Sequence, residues 1–280
     1  MDIRESRVGL EDRRRNGIDS CRAFLDLAEL LGENATRHLL RVSQIAIARV
    51  AEAAVVAEAN RRQGRSLAGS AMRLDPDDHE MLAGAFSRLV EALVREQLMD
   101  ATERLRKMGT GSASPVTVEA AVVFADLVGS TSWANEVGPV AHSEAMSRFG
   151  KQASEVAHAN GGLLVKLHGD EAMFVAPDAT TGCAIAFDMI GWCEDANNMP
   201  NVRCGLAHGE MITVDGDYYG PAVALAARLA KLSGSCQVAA PNEIVAMLHS
   251  KYRASSAEGQ YFRGFETLVD VAMVERPEAA

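Results

Sequence analysis

The chain has 280 residues, 48% of them hydrophobic and 24% charged, with a formal net charge of −10. That length supports one large or two modest cores, and the balance of apolar and charged residues excludes a disordered chain. The acidic surplus excludes a broad basic face for nucleic acid but leaves room for a local basic site against a nucleotide's phosphates.

Residues 1–15 mix both charge signs around no apolar centre, so they are not a signal peptide. Gly17-Ile18-Asp19-Ser20 precedes a helical run over 21–31 that Gly32 closes. From Asn34 a long helical pattern reaches Gln63, with Leu39, Leu40, Val42, Ile45, Ala46, Val50 and Ala54 at helical spacing. Arg49, Glu52 and Glu58 interrupt its most apolar part, which is too short to span a bilayer. Asp75-Pro76 starts a further helix whose stripe runs through Met81, Leu82, Phe86, Leu89, Val90, Leu93, Val94 and Leu98 towards Met108. Residues 1–108 therefore read as a helical domain of about four helices, its stripes buried within the bundle and against a partner chain.

Gly109-Thr110-Gly111-Ser112-Ala113-Ser114-Pro115 has the composition of a linker. Beyond it, over 116–280, strands and helices alternate. Strands are expected over 116–127, 163–167, 172–175, 202–214 and 236–239, with further strands in 251–274. Helices are expected over 132–160, 180–196, 221–232 and 242–249. The order β-α-β-β-α-β is the ferredoxin-like plan with carboxyl-terminal additions. The fold class is thus α+β, a ferredoxin-like core preceded by an all-α region. The five cysteines, Cys21, Cys183, Cys193, Cys204 and Cys236, are scattered, which suits reduced thiols in a soluble, cytoplasmic protein.

The apolar run Val122 to Phe124 ends in Asp126, followed by Gly129, Ser130, Thr131 and Ser132. A carboxylate at a buried strand end, before a small-residue turn into a helix, can hold a divalent metal against a phosphate, with the turn's N–H groups on phosphate oxygens. The alternative is a plain strand–helix junction capped by Ser130 or Thr131. Asp170, in the tight hairpin His168-Gly169-Asp170-Glu171, falls beside Asp126 in the ferredoxin-like plan. Two such carboxylates repel unless a cation sits between them, and Mg²⁺ or Mn²⁺ with triphosphate oxygens suits that place. Lys166, in the second strand, is costly to bury without a purpose, the alternative being an edge strand from which it reaches water.

Phe124-x-Asp126 with Gly129, Lys166-x-x-Gly169-Asp170, and Asp217-Tyr218-Tyr219-Gly220 leading to Arg228 resemble the signature set of class III nucleotidyl cyclases over about 116–275. The resemblance implies a catalytic core that forms head-to-tail homodimers with active sites at the interface. These convert ATP or GTP into the 3′,5′-cyclic monophosphate and pyrophosphate with two metal ions, Mg²⁺ or Mn²⁺, per site. It implies that Asp126 and Asp170 bind the metals and that Lys166 and Asp217 read the base. Guanylyl enzymes usually carry Glu and a small polar residue at those two positions, so Lys and Asp imply ATP. Arg228 takes the place of the arginine that stabilises charge on the transferring phosphoryl group. Arg263, in Phe262-Arg263-Gly264-Phe265, falls where the family usually has a phosphate-contacting lysine. Gly129, Ser130 and Thr131 form the substrate-binding turn.

Ala224 departs from the pattern, because the family carries an asparagine there, one helical turn before the arginine. Losing such a positioning donor costs ~10²–10³ in rate. Two readings follow: an adenylyl cyclase of reduced activity, or a weak or inactive cyclase-like nucleotide-binding regulator. Gly169-Asp170-Glu171 is also similar to the turn of diguanylate cyclases, but Asp217 and Arg228 at cyclase spacing argue against that family. The helical region resembles the regulatory domains of some actinobacterial cyclases, which implies a small-molecule, lipid or pH input there.

Overall fold

The computed structural model describes residues 22–63, 76–110, 117–248, 252–255 and 257–276. Cys21, the Gly17–Ser20 helix start, the Asp75 cap, linker residues 111–115, His249 and Lys251 lie outside them. The chain divides into two compact units, Met1–Val90 and Glu91–Ala280.

In the first unit, α1 (22–31) stops at Gly32, whose φ of 85° is open to glycine at little cost. α2 (Glu33–Gln63) begins at once, and the Thr36 hydroxyl donates back to the Gly32 carbonyl at 2.9 Å. α3 (Pro76–Lys107) starts at the proline, as the Asp-Pro pair implies, and belongs to the first unit up to Val90 and to the second from Glu91. Within the single chain, Leu39, Leu40, Ile45 and Val50 on α2 are exposed, as are Met81, Leu89, Leu93, Val94 and Leu98 on α3, so contacts among the described residues do not bury the stripes. Helical periodicity specifies an apolar face, but covering that face takes helices on several sides. The described residues of this region hold three helices, and the expected count of about four also takes in residues outside them. No helix among them is long and apolar enough to cross a membrane.

In the second unit the βαββαβ plan is β2 (Thr117–Leu127), α4 (Ser130–Ala159), β3 (Leu163–His168), β4 (Glu171–Ala176), α5 (Ala179–Asp195) and β5 (Val202–Val214). Two short strands not foreseen join it: β1 (Gly109–Thr110), within the expected linker, pairs with β2, and β6 (Asp217–Tyr219) pairs with β5. After α6 (Pro221–Leu232) come β7 (Val238–Pro241), α7 (Asn242–Val245), β8 (Arg253–Ala254), β9 (Glu258–Gln260) and β10 (Val269–Glu275). The sheet order β3-β4-β2-β5 is the ferredoxin-like one, extended by β7, β10 and β8. β3 is therefore an edge strand, so Lys166 does not sit in an interior strand. An irregularity between Leu164 and Lys166 also bends β3 away from strict alternation.

β2 is buried almost throughout because both faces of the sheet are covered. A methyl built on Gly182 of α5 would meet Ala121, Val123 and Leu206, which places α5 over that face. The opposite face, with Phe124 and Asp126 on β2 and Arg203 and Gly205 on β5, lies under α6. Gly205 makes that packing close: a methyl there would stand 2.2 Å from the Ala226 carbonyl oxygen and 2.2 Å from the Ala230 nitrogen. Only a residue without Cβ lets α6 lie on β5 at this depth.

Candidate active site

Asp126 ends β2 with its carboxylate buried. A buried charge persists only when paired, and two cations pair it. Arg203, its register partner on β5, places Nε at 2.8 Å and Nη2 at 2.6 Å from Oδ2. Lys231, in the last turn of α6, places Nζ at 2.9 Å from Oδ1 and 3.0 Å from Oε2 of Glu171. Burial pulls the Lys231 pKa down, but the hydrogen bonds to Asp126 and Glu171 and their charges outweigh it and hold the ammonium above its ordinary value.

Asp170 comes to the same corner through the backbone, its carbonyl accepting from the Leu127 N–H at 3.2 Å. The turn before it needs Gly169 at φ 64°. Its carboxylate accepts the Ser130 hydroxyl. Ser130 therefore does not cap α4. The N-cap is Gly129, at φ 70° and without a side-chain cap. The first intrahelical bond runs from the Trp133 N–H to the Gly129 carbonyl, so the N–H groups of Ser130, Thr131 and Ser132 have no intrahelical acceptor. Thr131 is exposed in that turn.

Lys166 and Asp217 meet across 51 residues of chain, with Nζ 2.5 Å from Oδ2. The short strand β6, held against the end of β5, carries Asp217 towards the edge strand β3. Partial burial pushes the Asp217 carboxyl up, and the hydrogen bonds from Lys166 and the Tyr218 N–H outweigh it and hold it below the usual carboxylate range. The Arg228 guanidinium lies 5.1 Å from the centre of the Phe265 ring. Arg263 is exposed in the turn leading to that ring, where the Phe265 N–H returns to the Phe262 carbonyl at 3.1 Å. Ala224 is exposed one turn before Arg228 on α6.

The nine residues singled out from the sequence thus fall into three groups: the Asp126 and Asp170 corner with its helix turn, the Lys166–Asp217 pair, and Arg228 with the Arg263 turn. The family model of the adenylate and guanylate cyclase catalytic domain matches residues 113–271. The chain belongs to this family.

The relatives agree. An uncharacterized protein of Mycobacterium tuberculosis, Rv2212, is 29% identical over 243 residues, covering 82% of this chain and 62% of its own length. This chain thus spans less than two thirds of that relative. An adenylate cyclase of Streptomyces coelicolor is 32% identical over 154 residues, 55% of this chain and 40% of that protein. Among solved structures, the adenylyl cyclase CyaB from P. aeruginosa superposes with a TM-score of 0.51 at 20% identity, covering 58% of this chain and 96% of that one, which shows the shared fold.

Cyclase domains of this class work with divalent ions, and the carboxylate corner fits one. Its donors are hard carboxylate oxygens on backbones joined by the hydrogen bond from the Leu127 N–H to the Asp170 carbonyl. Among the described residues no group of three or more His, Cys, Asp and Glu could form an all-protein cage. Two carboxylates completed by water and phosphate oxygens is the arrangement Mg²⁺ favours.

Arg203, Lys231 and Glu171 were not anticipated from the sequence. Arg203 carried one legible signal, a lone cation inside the apolar run Val202 to Ala207, but its partner depends on strand register. Lys231 carried none, because its reach depends on how deeply α6 packs.

Proposed function

We propose that the chain is an adenylyl cyclase, converting ATP into 3′,5′-cyclic AMP and pyrophosphate at a homodimer interface, with turnover lowered by Ala224. The observation that carries the adenine reading is the Lys166–Asp217 contact at 2.5 Å. It assembles an ammonium donor and a carboxylate acceptor side by side, the pattern that adenine N1 and its amino group require and that guanine would leave mispaired. Asp126 and Asp170 would hold two ions, Mg²⁺ or Mn²⁺, which when bound neutralise phosphate charge and ease ionisation of the 3′-hydroxyl. The N–H groups of Ser130, Thr131 and Ser132, which have no intrahelical acceptor, receive phosphate oxygens in the turn that Gly129 opens. Arg228, held by Phe265, stabilises charge on the transferring phosphoryl group, and Arg263 reaches phosphate from the neighbouring turn. Residues 1–108 serve as a regulatory domain acting through 109–115 on the catalytic domain at 116–280, with a small molecule, a lipid or pH as input.

A second reading, a nucleotide-binding regulator with little or no turnover, is favoured by one observation: Ala224 offers an exposed methyl where a ribose-positioning amide belongs. The test is cyclic AMP formation from Mn-ATP by the full chain, compared with Asp126→Ala. Product above that variant supports the cyclase; none, with ATP still binding by calorimetry, leaves the regulator. Ala224→Asn should raise turnover by ~10²-fold if the remaining groups are competent.

A further inference from the structure

The two cations on Asp126 are not equivalent. Arg203 is anchored: it sits in the middle of the sheet, places two nitrogens on Oδ2, and ties Nη1 to the Lys231 carbonyl at 3.3 Å. Lys231 is different. Its side chain is 55% exposed, it reaches the corner from a helix end, and its Nζ lies 2.9 Å from Oδ1 of Asp126 and 3.0 Å from Glu171. The ammonium therefore stands between two carboxylates, on the oxygen of Asp126 that Arg203 leaves open.

We propose that Lys231 is a tethered counter-ion that holds Asp126 Oδ1 until a divalent ion displaces it, so that the chain sets its own threshold for metal loading. The inference rests on Asp126 being a metal ligand. Two cations cannot share one carboxylate oxygen without strong mutual repulsion, so the ammonium must leave for an ion to bind there. Its exposed aliphatic stem lets it swing to water without opening the core. Arg203 stays on Oδ2 and keeps the carboxylate oriented in either state. The Lys166–Asp217 pair, further along the sheet, takes no part in this exchange.

The test is Mn²⁺ binding to the full chain without nucleotide, read by electron paramagnetic resonance of free Mn²⁺ and by the melting temperature with Mn²⁺ and with chelator. Lys231→Met should bind Mn²⁺ about tenfold more tightly than the unaltered chain, since one nearby positive charge is gone. Its melting temperature should also rise more on adding Mn²⁺. Lys231→Gln should behave alike and serves if the Met variant does not fold. Lys231→Arg, which keeps the charge, should bind as weakly as the unaltered chain. Equal or weaker binding by both neutral variants, or tightening by the Arg variant as well, overturns the proposal. Asp126→Asn separates the two levels. If it abolishes Mn²⁺ binding while the neutral Lys231 variants leave affinity unchanged, only the counter-ion role falls. If it leaves Mn²⁺ binding intact, the metal-ligand reading falls with it.

Discussion

Two of the ion-paired sites in the second unit are built on opposite principles. At the end of β2, Asp126 is buried and clamped by Arg203 and Lys231, so removing its anion would leave two cations crowded and unpaired. At the sheet edge, Lys166 and Asp217 meet with 44% and 25% of their side-chain surfaces exposed. Water could satisfy either of them alone, so their closeness organises a surface more than it stabilises the chain. The difference teaches where to look for each kind of effect: the first site should couple catalysis to stability, and the second should affect catalysis almost alone.

Asp126→Asn breaks this contrast hardest. It should lower unfolding free energy by about 3 kcal/mol, because it leaves Arg203 and Lys231 crowded without their anion. It should also remove cyclase activity, and urea denaturation beside a product assay checks both. Gly205→Ala comes next, with an expected loss of about 2 kcal/mol from overpacking α6 against β5. Because α6 carries both Arg228 and Lys231, catalysis should fall with it, whereas the Lys166–Asp217 contact, which α6 does not supply, should keep its ATP preference in any residual activity. Lys166→Met should leave stability within about 0.5 kcal/mol of the unaltered chain. Its catalytic efficiency with ATP should nevertheless drop about 10–100-fold, by loss of a charged hydrogen bond to the base. A stability loss there as large as that of Asp126→Asn would erase the distinction between the sites.

The smallest effect is in pH dependence. The Asp217 carboxyl is held below its ordinary value of 3.8 in the folded chain. Its contribution is therefore present above the unfolded value and is lost as pH falls through the lower folded value. Asp217→Asn should accordingly flatten the acid limb of the stability curve below about pH 4 by only a few tenths of a kcal/mol, given the exposure of the pair. Stability at neutral pH should barely change.

Much of the catalytic unit was legible in order. Apolar runs and helical spacing bounded by turn residues placed most strands and helices within a few residues of their observed ends. The carboxylates were legible too, because a charged residue closing an apolar strand conflicts with burial unless something pairs it. Elements too short for a period were not legible, namely β1 and β6, nor was the place of β3 at the sheet edge. The α2 and α3 stripes were correctly read as helical, but periodicity along one helix carries no information about what covers it, and within the single chain several of their residues are exposed.

By itself, then, the sequence determined the local chemistry: which strand ends bear carboxylates, which turns need glycine, and that Lys166, Asp217 and Arg228 follow at cyclase spacing. Tertiary structure alone decided who pairs with whom. Arg203 reaches Asp126 through strand register, Lys231 through the depth of α6 over Gly205, and Lys166 reaches Asp217 across 51 residues of chain. The physical reason is that local backbone preferences act over a few residues, whereas the partner of a charge is chosen by sheet order and helix packing, which only the whole folded chain specifies.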